Sequence, residues 1–543
     1  MLLIAAAVVT AVWLVVVVAW RDAPFSLTFD DAFYYFGIAR NVAHGHGSTF
    51  DGIDLTNGYH PLWMLLAVPV YALGLDGTSA VRVLLVVQVL CYGGALALVG
   101  WIGARAIDGW PRLAARRPDD ASHVGTWCTA VVALALVVAG ADPFVVKVFV
   151  NGMESGVLVL LDAVLLAIGF VWGGRLLRRG TPTARWATGV LLAALVLART
   201  DSVLLLGVMG VWALAEAWSE WRRSIVPLLQ LFALPAVVLV VYLAVNRALF
   251  GVALQISGLT KKAPFTVERV AWFAVATAVA ALIGRWGYRR ARTRRARSRF
   301  GRVGGFTAST AWFASFCVVL VAYYQTFQTQ QWLWYYAPVA LYLLCLLVVG
   351  VADFAEAAII EAPGRSPAAA LAPISAILLI PLVAGLVYET GQFTDPQGHS
   401  IAIADRDAGV WIDRHLPRGT VLASWDAGVV GYYANRPVIN LDGVANSYAY
   451  YQASRNGTVG RFLADRGIGG VVNLGTPVEG QDPEIVGFVR SALGTEAASG
   501  LKLARSWPLT YSGTTTGAAG ASSGTRRLAV FLYLLAATPS PSP

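Results

Sequence analysis

The chain has 543 residues, of which 57% are hydrophobic and 13% charged, with a mean hydropathy of +0.63. A soluble chain of this length carries roughly a quarter charged residues, so a water-soluble globular protein is excluded. The net charge of +10 gathers in short loops between apolar runs, the pattern of a cytoplasmic anchor rather than of a nucleic-acid surface.

Apolar runs lie near residues 2–20, 80–104, 125–141, 155–174, 188–198, 202–218, 225–245, 266–284, 305–325, 333–351 and 369–388. Together they predict a polytopic helical bundle of about eleven spans. The first run lacks a basic start and a small-residue cleavage site, so it is taken as an uncleaved span. Cys91, Cys128, Cys317 and Cys345 all fall inside apolar runs without metal-ligand spacing. They are expected to be small core residues.

After the first run comes a polar loop, 21–79, that opens FDDAFYYFGIARNVAHGHG. Two adjacent carboxylates, Asp30 and Asp31, are costly to hold near each other and near lipid. The plain reading is a helix start, where Asp is favoured by the dipole. The functional reading is a catalytic base. Spacing predicts a helix from Asp30 to His44, with Asp31, Tyr35, Ile38 and Val42 on one stripe and Asp30, Tyr34, Gly37, Asn41 and His44 on another. Such a helix can rest on the membrane and tip one carboxylate inward. GHG at 45–47 breaks it. Asn57 and His60 lie in the TNGYHP turn at 56–61. His44 and His46 with a carboxylate are the one place for a divalent metal. Histidines in such loops more often bond backbone, and the sequence calls for no cofactor.

The run at 61–75 decides the topology. If it crosses, the arginine loops at 105–117, 175–185 and 285–302 all fall outside, inverting the positive-inside rule. If it lies along the outer face as an interfacial helix, all three fall inside. At about fifteen residues it is short for a span, and the interfacial reading is taken. The amino terminus is then cytoplasmic. Asp30 and Asp31, the 142–154 loop with Lys147 and Glu154, the Arg199–Asp201 break, the 246–265 loop with Lys261 and Lys262, and the 326–336 loop with Trp332, Trp334 and Tyr335 share the outer face. Carboxylates, cations and aromatics on one face suit a lipid phosphate plus a sugar. The plainer readings are snorkelling for the lysines, an aromatic belt for the tryptophans and an internal ion pair for Arg199 and Asp201.

Residues 389–543 lose the apolar runs. GTVLASW (419–425), RPVINL (436–441) and GGVVNL (469–474) are predicted strands. DAGVVGYYA is a short helix, and 406–416 and 446–455 are amphipathic helices. Alternation of this kind predicts a small α/β domain. The Thr/Gly/Ser-rich stretch 510–525 is expected to be a flexible loop, and RRLAVFLYLL (526–535) a returning strand too short to span.

One span, an acidic pair opening a helix of the first outer loop and a PLW segment at 61–63 resemble the GT-C superfamily of polyprenyl-phosphate-sugar-dependent glycosyltransferases. The nearest likeness is to actinobacterial cell-wall arabinofuranosyltransferases. A more distant one is to protein O-mannosyltransferases and the lipid A aminoarabinose transferase. The likeness covers roughly residues 1–388: strong over Asp30–Trp63, moderate at NGMES (151–155) and ARTD (198–201), weak elsewhere. TNGYHP departs from the arabinofuranosyltransferase pattern, which leaves the sugar open between arabinofuranose and a hexose such as mannose.

The resemblance implies a mainly α, GT-C-type transmembrane domain over 1–388 and an extracytoplasmic α/β domain over 389–543. It implies a base at Asp30 or Asp31, with the first of the pair favoured. Arg40, Arg199, Lys261 and Lys262 are candidates for the donor phosphate. His44, Asn57, His60, Lys147, Glu154, Asp201, Trp332 and Tyr335 are further substrate contacts. The implied partners are a polyprenyl-phosphate sugar, a cell-envelope glycan or glycoconjugate acceptor and the lipid bilayer, in a bacterial plasma membrane, with no nucleic acid. A flippase for a lipid-linked sugar and a noncatalytic cell-envelope scaffold are the alternatives. Against the flippase, no inverted repeat is visible and the polar residues crowd one face.

Overall fold

The structure is a computed structural model that describes residues 1–107, 121–173, 175–292, 301–362, 365–394, 396–476, 482–517 and 520–536. Arg112, Arg116 and Arg117, and residues 293–300 of the densest arginine cluster, lie outside the described residues. The chain divides into two compact units. A helical unit comprises Met1–Ala19, Val86–Val241 and Lys262–Tyr388, and a mixed unit Trp20–Leu85, Tyr242–Lys261 and Glu389–Pro543.

Each predicted apolar run forms a helix. Among the described residues, seven helices are long and apolar enough to cross a membrane, and the bent pair Gly301–Ser309 and Ala311–Phe327 makes an eighth. The protein is a multi-pass membrane protein. The count falls below the expected eleven partly because Ser155–Val171 and Pro182–Ala198 are apolar helices of only 17 residues each. Polar breaks interrupt two of them: NGMES precedes Ser155, and Arg199 ends the helix Pro182–Ala198 in an extended conformation. Trp221–Phe250 and Val267–Gly287 bury only 11% and 6% of their apolar windows, the mark of helices whose side chains face lipid. Close helix contacts use small residues. A methyl at Gly93 would lie 2.3 Å from the Thr10 hydroxyl, and one at Gly169 2.6 Å from the Trp312 ring.

The mixed unit carries a five-stranded sheet of β1 (Val421–Ser424), β2 (Val438–Asn440), β3 (Ile468–Gly475), β4 (Lys502–Gly517) and β5 (Gly520–Leu534) in the order β2-β1-β3-β5-β4. β1 pairs in parallel with β2 and β3, and β5 runs antiparallel between β3 and β4. Two apolar clusters, one around Ile439, Tyr450 and Phe462 and one around Val471, Ile485 and Phe531, form its core. The predicted strands and helices of this segment are present. The stretch 510–525 differs: it is hydrogen-bonded ladder on both sides of the hairpin, with Thr510 opposite Arg527 and Gly517 opposite Gly520. Thr is a strand former, and composition alone hid the pairing.

The predicted helix after the first span runs Asp30–Ala43. It does not present one bare face: every residue from Ala32 to Ala39 is buried. Much of its cover is the seven-residue helix Gly428–Ala434, whose glycines make the approach possible. A methyl at Gly428 would lie 2.2 Å from the Asp30 carbonyl oxygen, and one at Gly431 2.7 Å from the Phe50 ring. Phe33 packs edge-on against Tyr432 at 5.5 Å. Asn435 ends the short helix at φ 45°, a left-handed position that Asn tolerates. Pro61–Ala72 is a separate helix of 12 residues.

Candidate functional site

Within the mixed unit, the two aspartates of the pair have different surroundings. Asp30 accepts hydrogen bonds from the backbone amides of Gly428 at 2.9 Å and Val429 at 2.7 Å, one on each oxygen. Burial, then repulsion from Asp426, pushes its carboxyl up to about 8, with Asp31 adding to the rise and the two amides opposing it. Asp31 points elsewhere. Its carboxylate meets the Lys261 ammonium at 3.4 Å, and the two side chains are 30% and 12% exposed.

Two more carboxylates belong to this neighbourhood. Asp426 follows β1 and Asp442 follows β2, both at the carboxyl ends of parallel strands and both open to solvent. Surrounding protein displaces part of the water around Asp442, and Asp31 repels it. Its carboxyl rises to about 7 although the Val444 amide and Lys261 pull it back. Asp426 is raised by the same desolvation, with Asp31 adding to it. Asp405, buried on the helix Pro396–His415, is raised chiefly by burial and then by Asp30 and Asp426.

The frame of these groups is specific. The Tyr34 hydroxyl accepts from the Ala427 amide at 3.1 Å and from Asn440 Nδ2 at 2.7 Å. Asn440 Nδ2 also donates to the Trp425 carbonyl, and Asn446 Nδ2 donates to the Asn440 carbonyl at 2.7 Å. The Thr56 hydroxyl donates to the Asn446 carbonyl at 2.8 Å. The loops bearing Asp426 and Asp442 are thus tied both to each other and to the first loop. Asn57 anchors the segment that ends in Lys261: its Nδ2 donates to Asn246 Oδ1 and the Leu254 carbonyl, and its Oδ1 accepts from the Ile256 amide.

The other candidates of this unit have the following surroundings. Arg40 lies over the Tyr432 ring at 4.8 Å, donates to the Tyr432 carbonyl at 3.0 Å and faces Asp76 at 3.6 Å. The His60 amide donates to the Tyr35 hydroxyl. His44 is exposed, with its ring 6.2 Å from that of His46. Among the described residues, no group of three or more His, Cys, Asp or Glu side chains is placed to share a metal ion.

The helical unit holds a second cluster, at the break after Ala198. Arg199 is 2% exposed and faces Asp201 at 3.2 Å and Glu154 at 3.8 Å. It also donates to the Trp334 carbonyl and the Tyr324 hydroxyl, each at 2.8 Å, and lies over the Tyr335 ring at 5.2 Å. The Tyr324 hydroxyl in turn donates to Asp201. Trp332 stacks on Trp334 at 5.2 Å and is 45% exposed. Lys262 parts from Lys261: it lies over the Phe265 ring at 4.7 Å. Lys147 sits on the short helix Pro143–Phe149.

Sequence reasoning offered the Arg199–Asp201 ion pair as the plainer reading of that break, and the structure shows the pair; it brought Asp31 together with Lys261 only as residues of one face. It missed Asp426, Asp442, Asp405 and the Tyr34–Asn440 frame. The available signal was the Asp after each of two parallel strands, in SWDAG and NLDG, because ligands of such sheets sit outside the carboxyl ends of the strands. It also missed Asp162, 1% exposed on Ser155–Val171, whose carboxylate oxygens have no hydrogen-bond partner among the described residues.

Comparison with known proteins adds three findings. Residues 392–531 match the model of a domain of unknown function, DUF8728. No curated protein matches the chain. Among solved structures, ArnT from Cupriavidus metallidurans bound to undecaprenyl phosphate is similar at 12% identity and a TM-score of 0.49, covering 97% of each chain. The apo structure of ArnT is similar at 12% identity and a TM-score of 0.47, covering 96% of this chain and 98% of that one.

Proposed function

We propose that the protein is an integral-membrane, inverting glycosyltransferase that moves a sugar from a polyprenyl-phosphate donor to a hydroxyl of a cell-envelope glycan or glycoconjugate. The observation that carries the reading is the partly solvent-open Asp31–Lys261 pair, flanked by the exposed carboxylates Asp426 and Asp442. Asp31 is open enough for a substrate hydroxyl to reach it, as a general base must be.

In the proposed reaction, the acceptor oxygen attacks the anomeric carbon while its proton passes to Asp31. The new carbon–oxygen bond forms as the bond to the phosphate oxygen breaks, and that electron pair leaves with the lipid phosphate. The leaving group is already an acid anion, so it needs a cation rather than a proton donor. Lys261 is the candidate. Lys261 faces an acidic neighbour too, but that pair is partly open to solvent, whereas Arg40 and Arg199 also hold backbone carbonyls and Lys262 lies over the Phe265 ring. The open carboxylates Asp426 and Asp442 suit hydrogen bonds from acceptor hydroxyls. The helical unit carries the membrane spans, and we place the site on the outer face of the membrane.

The test is transfer. Purified full-length protein in nanodiscs is given a panel of radiolabelled polyprenyl-phosphate sugars, arabinofuranose and mannose included, with a cell-wall extract. Incorporation that disappears in Asp31→Asn supports the reading and names the sugar. No incorporation and no donor binding across the panel overturns it. Sidedness is read separately with an impermeant thiol reagent. A cysteine at exposed Asn456 is expected to react from outside and one at exposed Arg179 is not.

A further inference from the structure

The Asp-Asp pair invites the assumption that both carboxylates serve the chemistry. Their contacts divide them. Both oxygens of Asp30 are taken up by the Gly428 and Val429 amides, the first orphan donors of a helix that begins there. No side chain of the short helix's own approach caps it. The cap comes from a residue 398 positions earlier in the chain. Four residues on, Tyr34 repeats the arrangement by accepting from the Ala427 amide. One face of the Asp30–Ala43 helix thus clasps the consecutive amides of 427, 428 and 429. Asp426, the carboxylate that couples to Asp31, immediately precedes them.

Gly428 fits the same account. Any side chain there would strike Asp30, with the new methyl 2.2 Å from its carbonyl oxygen and 2.8 Å from its carboxyl carbon. The close approach of the clasp requires glycine at 428.

We propose that Asp30 is a positioning residue: it caps the Gly428–Ala434 helix and thereby seats the Asp426 loop of the carboxy-terminal domain beside Asp31, so that this domain is part of the reaction site. The inference rests on the transferase reading for its kinetic consequences, but the clasp itself is measurable without turnover. The domain of unknown function then acts as the acceptor-side wall of the site, held by a carboxylate of the first loop. Asp30 acts through the helix it caps and Asp31 acts on the reacting atoms.

Hydrogen–deuterium exchange on the full-length protein in nanodiscs, with kinetics in parallel, tests this. In Asp30→Asn the amide group accepts on one atom only, so one of the two backbone donors loses its partner. Exchange over 425–434 is expected to quicken, and the acceptor KM to rise about tenfold, the worth of one hydrogen bond, with donor KM unchanged. Gly428→Ala is expected to give the same pattern although it removes no ionisable group. Asp31→Asn is expected to abolish turnover with protection at 425–434 intact. If Asp30→Asn abolishes turnover while 425–434 stays as protected as in the wild type, Asp30 is the base and the proposal fails. Should Gly428→Ala not fold, the exchange of Asp30→Asn alone decides. Should the wild type transfer no sugar, the transferase reading fails while the exchange data still decide the clasp.

Discussion

Two charged clusters, one in each unit, teach opposite lessons. Around Arg199 the charges are closed. A guanidinium at 2% exposure is shared among two carboxylates, a carbonyl and a tyrosine hydroxyl. Around Asp31 the charges are open. A carboxylate and an ammonium meet at 3.4 Å with Asp31 30% exposed, and Asp426 and Asp442 reach solvent nearby. A closed cluster stabilises a break in a helix and resists change, because removing one member strands the others without water. An open one exchanges its partners for those of a substrate.

The sharpest way to break this contrast is Asp31→Asn. Turnover is expected to fall roughly a hundred- to ten-thousand-fold, the range for a lost general base, with the thermal midpoint unchanged. Near-wild-type turnover would remove Asp31 from the chemistry. Arg199→Met is the converse. It leaves the buried Glu154 and the half-buried Asp201 without their cation, and destabilisation of about 3–5 kcal/mol is expected. Denaturant titration in detergent measures it. An unchanged midpoint with a raised donor KM would move Arg199 into the donor site and erase the distinction.

Lys261→Ala should have a smaller effect. A hydrogen bond to a charged group is worth roughly 1.5–3 kcal/mol, so donor KM is expected to rise about tenfold or more while acceptor KM stays. Equal effects on both would make Lys261 a partner of Asp31 alone.

The last expected effect is on pH dependence. Asp30 is raised to about 8 in the folded state, from an unfolded value of about 3.9. The folded state therefore holds a proton that the unfolded chain releases between these values. By linkage, stability is greatest below about 4 and falls as pH rises to about 8, where this contribution levels off. The titratable groups that interact with Asp30 include Asp426, Asp31, Asp405 and the Tyr34 hydroxyl, none of them basic. Thermal midpoints from pH 5 to pH 9 are expected to decline, and to decline less in Asp30→Asn. An identical slope in the variant would show that the other carboxyls carry the effect.

The spans were legible because an apolar run needs no partner to be recognised, and every run became a helix. The parallel strands were legible from short β-branched and aliphatic stretches, VLA in β1 and VV in β3, bounded by turn residues. What the first loop touches was not. Periodicity correctly placed Asp30 and Tyr34 on one stripe and Asp31 on another. It carried no information that the first stripe would meet amides 393 to 399 residues away. GVVGYY was legible as something other than a nucleotide loop, but its glycines answer to Asp30 and Phe50, which only the folded chain brings near. Composition misread 510–525 because Ser and Gly suggest a loop while the ladder with the facing strand is set by register.

The mixed unit is written in three separate stretches of chain, the last beginning at Glu389. A ribosome adding about 5–20 residues per second needs roughly 20–80 seconds to cover the 398 positions between Asp30 and the amide it caps. For that interval the first loop is already made while its partner does not yet exist. A nascent chain released early therefore carries the acidic pair but no seated Asp426 loop, and it is expected to leave lipid-linked sugar untouched. The order of synthesis acts as a checkpoint: only a chain read past Asn446 contains every residue of the site.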